Sequence, residues 1–169
     1  KDIIVFSNST LTIEPGVEVK FGGAFSITVT GILFANGTDR SIIFTSNKNQ
    51  PVSGDWDTIK FNGTQKSTLI DCVITYAKDA ITIENGDVEV EHSTIGLSQN
   101  GIIAINGKVS IQDSIVNLCQ QDGINITNSE SFLQNNIITE NQGNGICITG
   151  NRQVTIQKNN IMANKNGML

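Results

Sequence analysis

The densest group of ionisable side chains in the sequence is Glu89, Glu91 and His92. Two carboxylates beside an imidazole can hold a metal ion or exchange protons with a substrate. Glu89 and Glu91 alternate with Val88 and Val90, however, which is typical of a strand with one buried face and one solvated face. We interpret the group as a solvated strand face and retain Glu89, Glu91 and His92 as candidate ligand-binding residues.

A second chemistry to consider is glycoside hydrolysis, which needs two carboxyl groups about 5 to 9.5 Å apart. The sequence contains repeats of about 22 residues, which predict stacked coils. In such coils, Asp71, Ser93 and Asp113 would lie one above another at the same bend of the chain, in one corner column. The two acids would lie two coils apart, roughly 9–10 Å, at the outer limit for an inverting pair. Asp71 and Asp113 are therefore the candidate catalytic residues, although we expect the chain not to be an enzyme.

Aromatic residues and cysteines offer few further sites. Trp56 is the single tryptophan. We interpret it as a plug over a Phe-rich interior, and the alternative is a sugar-binding platform. The three cysteines, Cys72, Cys119 and Cys147, lack the spacing and the histidines of a zinc site. We expect them to pack as small hydrophobic residues, with a Cys119–Cys147 disulfide left open, and we expect neither a metal nor another cofactor.

Length and charge exclude several classes of protein. The 169 residues suit one domain, carry a net charge of -5, and include only 11 Lys and Arg, without a cluster. This argues against nucleic acid as a partner, because nucleic-acid affinity depends on concentrated basic contacts. The apolar runs are far shorter than the roughly 20 residues of a membrane-spanning helix, so we expect no membrane insertion. No signal peptide is recognisable in the sequence.

Internal repeats predict the fold. Gly101, Gly123, Gly145 and Gly167 are spaced by 22 residues, and each follows Asn or Asp and precedes an apolar residue. A fixed period of this length is typical of a solenoid. Because each repeat also contains three short apolar-polar alternations separated by polar corners, the sequence predicts a single-stranded, right-handed parallel β-helix with three strands per coil. The main alternative is a β-sandwich, which does not require matching columns.

Two columns in the repeats suggest how the coils stack. One is an apolar column, which we expect to fill the interior: Val73, Ile95, Ile115, Ile137 and Ile161. The residues directly before that column are mostly small or hydrogen-bonding: Cys72, Thr94, Ser114, Asn136 and Asn160. We interpret Asn136 and Asn160 as a short asparagine ladder, in which each amide bonds its neighbour one coil away. The alternative is that asparagine only supplies the corner conformation.

The whole chain is expected to be one β-helix domain of about seven coils. Residues 1–66 form irregular N-terminal coils, and residues 67–169 form the regular 22-residue coils. Neither end has an obvious cap. We therefore expect the chain to belong to a longer protein, with flanking domains or end-to-end stacking on a partner.

These motifs resemble the right-handed parallel β-helix repeat family, the pectate-lyase-like solenoids. Residues 11–21, LTIEPGVEVKF, resemble the opening coil of many archaeal and bacterial surface proteins. Residues 54–61, GDWDTIKF, are similar to the Gly-x-Trp-x-x-Ile-x-Phe segment that often follows, and the Asn/Asp-Gly-Ile coils cover most of the rest. The resemblance implies an extracellular or cell-surface location. The family includes polysaccharide lyases, hydrolases, adhesins and surface-layer proteins, so the fold does not choose among functions.

We predict a non-enzymatic extracellular module that acts as a rigid structural or adhesive surface segment. An outer face would bind a polysaccharide or another surface protein. The alternative is a polysaccharide-active lyase or hydrolase domain. A minor alternative is ice binding, suggested by Thr12, Thr28, Thr58 and Thr82, although Ala104, Asn125 and Cys147 interrupt the regular threonine array that ice binding needs.

Overall fold

The computed structural model describes residues 1–150 and 152–169, in which all regular secondary structure is β-strand. The strands, in chain order, are β1 (Ile3–Val5), β2 (Thr10–Ile13), β3 (Glu18–Phe21), β4 (Ile27–Val29), β5 (Ile32–Asn36), β6 (Ile42–Ser46), β7 (Trp56–Phe61), β8 (Lys66–Ile70), β9 (Cys72–Thr75), β10 (Ala77–Glu84), β11 (Asp87–Glu91), β12 (Thr94–Gly96), β13 (Asn100–Ile105), β14 (Lys108–Gln112), β15 (Ile115–Asn117), β16 (Ile124–Thr127), β17 (Glu130–Gln134), β18 (Ile137–Thr139), β19 (Asn144–Thr149), β20 (Val154–Gln157), β21 (Asn160–Met162) and β22 (Asn166–Met168). Within the described ranges no helix is long and apolar enough to cross a membrane.

The strands form three parallel sheets that run along one axis. Sheet A is β1-β4-β7-β10-β13-β16-β19-β22, sheet B is β2-β5-β8-β11-β14-β17-β20, and sheet C is β3-β6-β9-β12-β15-β18-β21. Every third strand pairs in parallel with its equivalent one coil away, for example Ile81 with Ile102 and Ile102 with Ile124. The predicted right-handed β-solenoid is confirmed, with about eight coils rather than about seven.

The interior consists of stacked columns of aliphatic side chains. In sheet A the residues at one inward position are Ile81, Ile102, Ile124 and Ile146, and each is fully buried. Burying such a side chain stabilises the fold by about 2 kcal/mol relative to leaving it exposed. Because each coil buries its apolar face only against its neighbours, the strands of three to eight residues depend on stacking for their stability.

The predicted apolar column of sheet C is wrong in register at three of its five positions, and correct at Ile95 and Ile161. The column that faces the interior is Ile74, Ile95, Val116, Ile138 and Ile161. Val73, Ile115 and Ile137 point outward, and Ile137 is 40% exposed. The error has a physical origin: each of these strands has two adjacent β-branched apolar residues, so the two-residue period does not distinguish the inner face from the outer one.

The same ambiguity affects the outer face of sheet A. Ala104 is buried, and Ile103 is the residue that pairs with Thr82 and Asn125 on the outside. Lys60 precedes Thr82 in this outer column, and Thr12 lies in β2 of a different sheet. The threonines therefore do not form one array, which removes the observation that suggested ice binding.

The asparagine ladder exists, but its second member is Asn159 rather than Asn160. Asn136 Nδ2 donates to Asn159 Oδ1 at 2.9 Å and to the carbonyl oxygen of Ile111 at 2.8 Å, while Ser114 N donates to Asn136 Oδ1 at 3.0 Å. Asn160 instead begins β21 and is exposed. The predicted column also contains Thr94, but the buried residue in that coil is Ser93. Its Oγ accepts a hydrogen bond from Cys72 N at 3.0 Å.

A second ladder at the corner between sheets C and A was missed. Asn141 Nδ2 donates to Asn164 Oδ1 at 2.8 Å, and Asn141 Oδ1 accepts from Cys119 N at 3.0 Å. Asn141 and Asn164 follow exposed Glu140 and Ala163 in the left-handed region. The two ladders satisfy buried backbone groups where the chain turns inward, which an apolar side chain could not do.

The segment 47–55, which connects β6 and β7, is held by the buried carboxylate of Asp55, which pairs with the exposed Lys48. Asp55 accepts hydrogen bonds from Lys48 Nζ at 2.6 Å, Ser46 Oγ at 2.7 Å and Val52 N at 3.0 Å. Burial raises the pKa of the Asp55 carboxyl, but these hydrogen bonds outweigh it, so the net pKa lies below the ordinary 3.8.

Replacing Asp55 with asparagine should lower the free energy of unfolding by about 2 kcal/mol at neutral pH, because the bonds to a charged acceptor are lost. A carboxyl with a lowered folded-state pKa stabilises the fold above its unfolded pKa, and this contribution disappears as the pH falls through the folded value. The difference between wild type and Asp55→Asn should therefore shrink below about pH 4 in urea titrations. A pH-independent difference would contradict the prediction, and Asp39→Asn, at an exposed aspartate, is the control.

Candidate functional site

A row of left-handed residues forms the corner between sheets B and C. The corner row consists of Asp71, His92, Asp113, Asn135 and Lys158, with φ angles of 51, 48, 49, 56 and 57°. Asp, Asn and His are among the residues that tolerate this conformation. Each residue of the row is followed by an inward-facing one, as His92 is by Ser93. The predicted column therefore needs one correction: His92, and not Ser93, lies between Asp71 and Asp113.

The corner row brings three sequence candidates together. Asp71, His92 and Asp113 come from successive coils, which rise by about 4.8 Å each, so that the two acids are separated by roughly 10 Å. The Asp71 amide donates to the carbonyl oxygen of Glu91 at 3.0 Å, and the His92 amide donates to that of Gln112 at 3.2 Å. The corner row therefore lies next to the outer face of β11, and Glu91 lies beside Asp71.

The chemistry that this corner can perform is limited by exposure. His92 and Asp113 are exposed and Asp71 is half-buried, whereas catalytic acids normally have environments that exclude water. Asp113 Oδ1 also accepts a hydrogen bond from Asn135 Nδ2 at 3.1 Å. In residues 1–150 and 152–169, no three His, Cys, Asp or Glu side chains are grouped as a metal site would require.

Glu89 and Glu91 face outward from β11 and interact with neighbouring coils. Glu89 forms an ion pair with Lys66 Nζ at 2.9 Å, and Glu91 Oε1 accepts a hydrogen bond from Gln112 Nε2 at 3.2 Å. Both carboxylates are half-buried, while Val88 and Val90, which alternate with them along the strand, are fully buried. A ligand-binding role for Glu89, Glu91 and His92 stays a prediction.

The outer face of sheet B contains an aromatic row that the sequence analysis missed. It consists, from the N-terminal coil onward, of Thr12, Phe34, Thr68, Glu89, Ser110, Phe132 and Thr155. Phe34 is 43% exposed, and Phe132 is half-buried. The sequence does contain a signal for it: Phe132 directly precedes the inward residue Leu133, and adjacent strand residues face opposite sides of a sheet. Phenylalanine is usually buried, however, which favours the opposite assignment.

Each phenylalanine of the aromatic row borders a shallow surface depression. The depression at Phe132 is also lined by Lys108, Ser110, Glu130, Gln153 and Thr155. The depression at Phe34 is also lined by Pro15, Asn36, Thr38 and Asp39. An aromatic ring beside several hydrogen-bonding groups is an arrangement that suits a ligand with one apolar face and a polar rim.

The charges on this face are compensated only in part within it. The outward positions of β8, β11, β14 and β17 carry two lysines, Lys66 and Lys108, and four acids, Asp87, Glu89, Glu91 and Glu130, which is an excess of two negative charges. Lys66 pairs with Glu89 at 2.9 Å, and Lys108 pairs with Glu130 at 3.6 Å. Glu89 raises the pKa of Lys66 through a hydrogen bond, which outweighs partial burial.

Trp56 lies in the interior and not on a ligand-accessible surface. Its side chain is fully buried and its ring stacks on Phe21 with a centroid separation of 4.0 Å and an interplanar angle of 3°. The indole Nε1 donates to the carbonyl oxygen of Thr75 at 2.8 Å. This position fits the interpretation of Trp56 as a plug, since its ring is not accessible to a sugar.

The cysteines are free thiols, and no disulfide joins Cys119 and Cys147. Burial raises the pKa of Cys72 and of Cys119 to about 12 in each case. Partial burial and the nearby Asp122 carboxylate raise the pKa of the Cys147 thiol. Because the thiolate is the nucleophile, all three thiols are poorly reactive at neutral pH.

The comparisons with known proteins concern the fold. A family model described as "Right handed beta helix region" matches residues 79–169, which is more than half of the chain. Neither a curated protein nor a solved structure matches the chain. The matched residues include most of the corner row and the aromatic row from Glu89 onward.

Proposed function

Because this chain belongs to the right-handed β-helix family, we propose that it is a rigid, non-catalytic surface module that binds an extended polysaccharide along the outer face of sheet B. The observation that carries the proposal is the aromatic row, which places Phe34 and Phe132 in line along the solenoid axis. A location outside the cell, as in a structural or adhesive surface segment, is part of the same proposal.

Rigidity supports this role. The binding face is built on parallel strands whose inward side chains, such as Leu69, Val90 and Ile111, are fully buried. The outward side chains are therefore held at fixed spacing, so that binding a long ligand costs little further ordering of the protein. Binding sites on regular strands are also positioned more accurately than sites on loops.

The second candidate is a polysaccharide-active domain, and one observation favours it. Asp71 and Asp113 lie about 10 Å apart with His92 between them, close to the carboxylate separation of inverting glycosidases. Asp113 is exposed and Asp71 is only half-buried. This favours the binding module, because a carboxyl group that water reaches lacks the environment that tunes a general acid.

Affinity electrophoresis through gels that contain one polysaccharide each tests the binding function. We expect retardation of the wild-type chain by at least one neutral or acidic polymer, and weaker retardation of Phe132→Ala. The matched control is Phe25→Ala, which removes a phenylalanine that is 37% exposed and lies outside sheet B. No retardation by any polymer, or equal retardation of both variants, would contradict the proposal.

The same polymers, incubated with the wild-type chain, test the alternative. A rise in ultraviolet absorbance from unsaturated products, or new reducing ends, would overturn the non-catalytic role. If that activity disappears in Asp71→Asn and Asp113→Asn, it belongs to the corner row.

A further inference from the structure

The two phenylalanines of the aromatic row are separated by a fixed distance. Four steps of strand pairing lead from Phe34 to Phe132, through Thr68, Glu89 and Ser110. At about 4.8 Å per step, the rings lie roughly 19 Å apart along the axis. A single sugar ring cannot contact both, whereas a chain of several sugar units that runs parallel to the axis can.

The polar groups near the rings are of the kind that bind hydroxyl groups. Asn36 and Thr38 lie beside Phe34, and Ser110, Gln153 and Thr155 lie beside Phe132. Along the neighbouring column, Gln157 Nε2 donates to Gln134 Oε1 at 2.7 Å. Amide and hydroxyl groups both donate and accept hydrogen bonds, which matches the hydroxyl groups of a sugar, while the aromatic ring matches its C–H face.

The charges between the rings disfavour an anionic polymer. The lysines of this stretch, Lys66 and Lys108, already pair with Glu89 and Glu130. When Glu130 of β17 is counted with the positions between the rings, Asp87 and Glu91 remain as an excess of two negative charges. A polyuronate would place a carboxylate on every sugar unit above this surface, and like-charge contacts across an interface suppress binding.

On the basis of the proposed function, we infer that the ligand of this face is a neutral glycan chain that bridges two aromatic subsites, one at Phe34 and one at Phe132. Between them it crosses the acidic stretch, which consists of the three outward acids of β11, Asp87, Glu89 and Glu91. The subsites act together, because a chain bound at one ring holds its next units close to the other.

Isothermal titration calorimetry tests the inference. The titrants are three soluble neutral polymers (glucan, mannan and xylan) and two polyuronates (polygalacturonate and alginate). We expect at least one neutral polymer to bind more tightly than both polyuronates. Phe34→Ala and Phe132→Ala should each weaken binding of that polymer about tenfold, as loss of an aromatic contact typically does. Phe25→Ala is the control. Because Phe34 is 43% exposed, Phe34→Ala keeps the test valid if Phe132→Ala lowers stability.

Chain length provides a second readout. A disaccharide of the preferred polymer reaches only one subsite. Its dissociation constant should therefore exceed that of the polymer by far more than tenfold. Equal affinity per chain for disaccharide and polymer, or an effect of only one of the two phenylalanine variants, would overturn the bridging of two subsites.

The outcomes separate this inference from the proposed function. Tighter binding of a polyuronate that depends on Phe132 would overturn the neutral class and leave the binding face intact. Failure of every polymer to bind would overturn both. The double variant Glu89→Gln/Glu91→Gln should raise the affinity for polygalacturonate, and an unchanged affinity would contradict the role assigned to the acidic stretch.

Discussion

Replacing Gly101 with valine should lower the free energy of unfolding by about 3 kcal/mol or more, which is the upper part of the usual range for overpacking. A Cβ at this position would overlap the carbonyl oxygen of Gly123 in the next coil and would lie 2.8 Å from Val116 Cγ1. A backbone carbonyl within a parallel ladder cannot move away without breaking strand pairing. The effect is measurable as a shift of the denaturation midpoint in guanidinium chloride.

Gly22 supplies the matched control for that substitution. A Cβ at Gly22 meets nothing within 4 Å, so Gly22→Val should leave the free energy of unfolding nearly unchanged. If Gly101→Val proves as stable as Gly22→Val, the coils do not approach each other as closely as described. The close approach of the coils also explains why glycine recurs at this place in successive coils, since a Cβ at Gly123 would lie 2.8 Å from the carbonyl oxygen of Gly145.

The second large effect is expected for Asn136→Ala, which should cost about 3 kcal/mol. Asn136 is 1% exposed. Its amide group satisfies Ser114 N and the carbonyl oxygen of Ile111, both at a buried corner. Alanine would leave Ser114 N without its side-chain acceptor and would remove the bond to the Ile111 carbonyl oxygen. A buried group left unsatisfied costs about 1–3 kcal/mol. Chemical denaturation followed by the fluorescence of buried Trp56 reports the change.

Asn160→Ala is the control for this prediction. Asn160 is exposed, and the sequence alone had suggested it as the ladder partner. Its replacement should change the free energy of unfolding by less than about 0.5 kcal/mol, as at most surface positions. A larger loss for Asn160→Ala than for Asn136→Ala would contradict the register of the ladder.

The architecture could be predicted from sequence because its cause is periodic. Gly101, Gly123, Gly145 and Gly167 repeat where one coil contacts the next, and this spacing alone predicts stacked coils. Positions within a coil were harder to assign. Val73-Ile74 and Ile115-Val116 are apolar on both faces, so only three-dimensional pairing shows that Ile74 and Val116 face the interior.

The candidate site was predicted only in part. The sequence predicts correctly that Asp71 and Asp113 lie two coils apart, but it does not predict that His92 lies between them. The corner has two residues, His92 and Ser93, and spacing alone does not show which of them faces outward. Histidine at a positive φ is not apparent from spacing. Phe34 and Phe132 were missed because phenylalanine is usually buried, and their alignment depends on a register that inserted segments such as 47–55 obscure.

Backbone amide chemical shifts, recorded while a neutral oligosaccharide of several units is titrated into the wild-type chain, test the central claim most directly. We predict saturable shifts along β5, β8, β11, β14 and β17, strongest near Phe34 and Phe132, with little change in sheets A and C. Shifts confined to sheet A, to sheet C or to the corner row, or no saturable shift with any neutral glycan, would contradict the account.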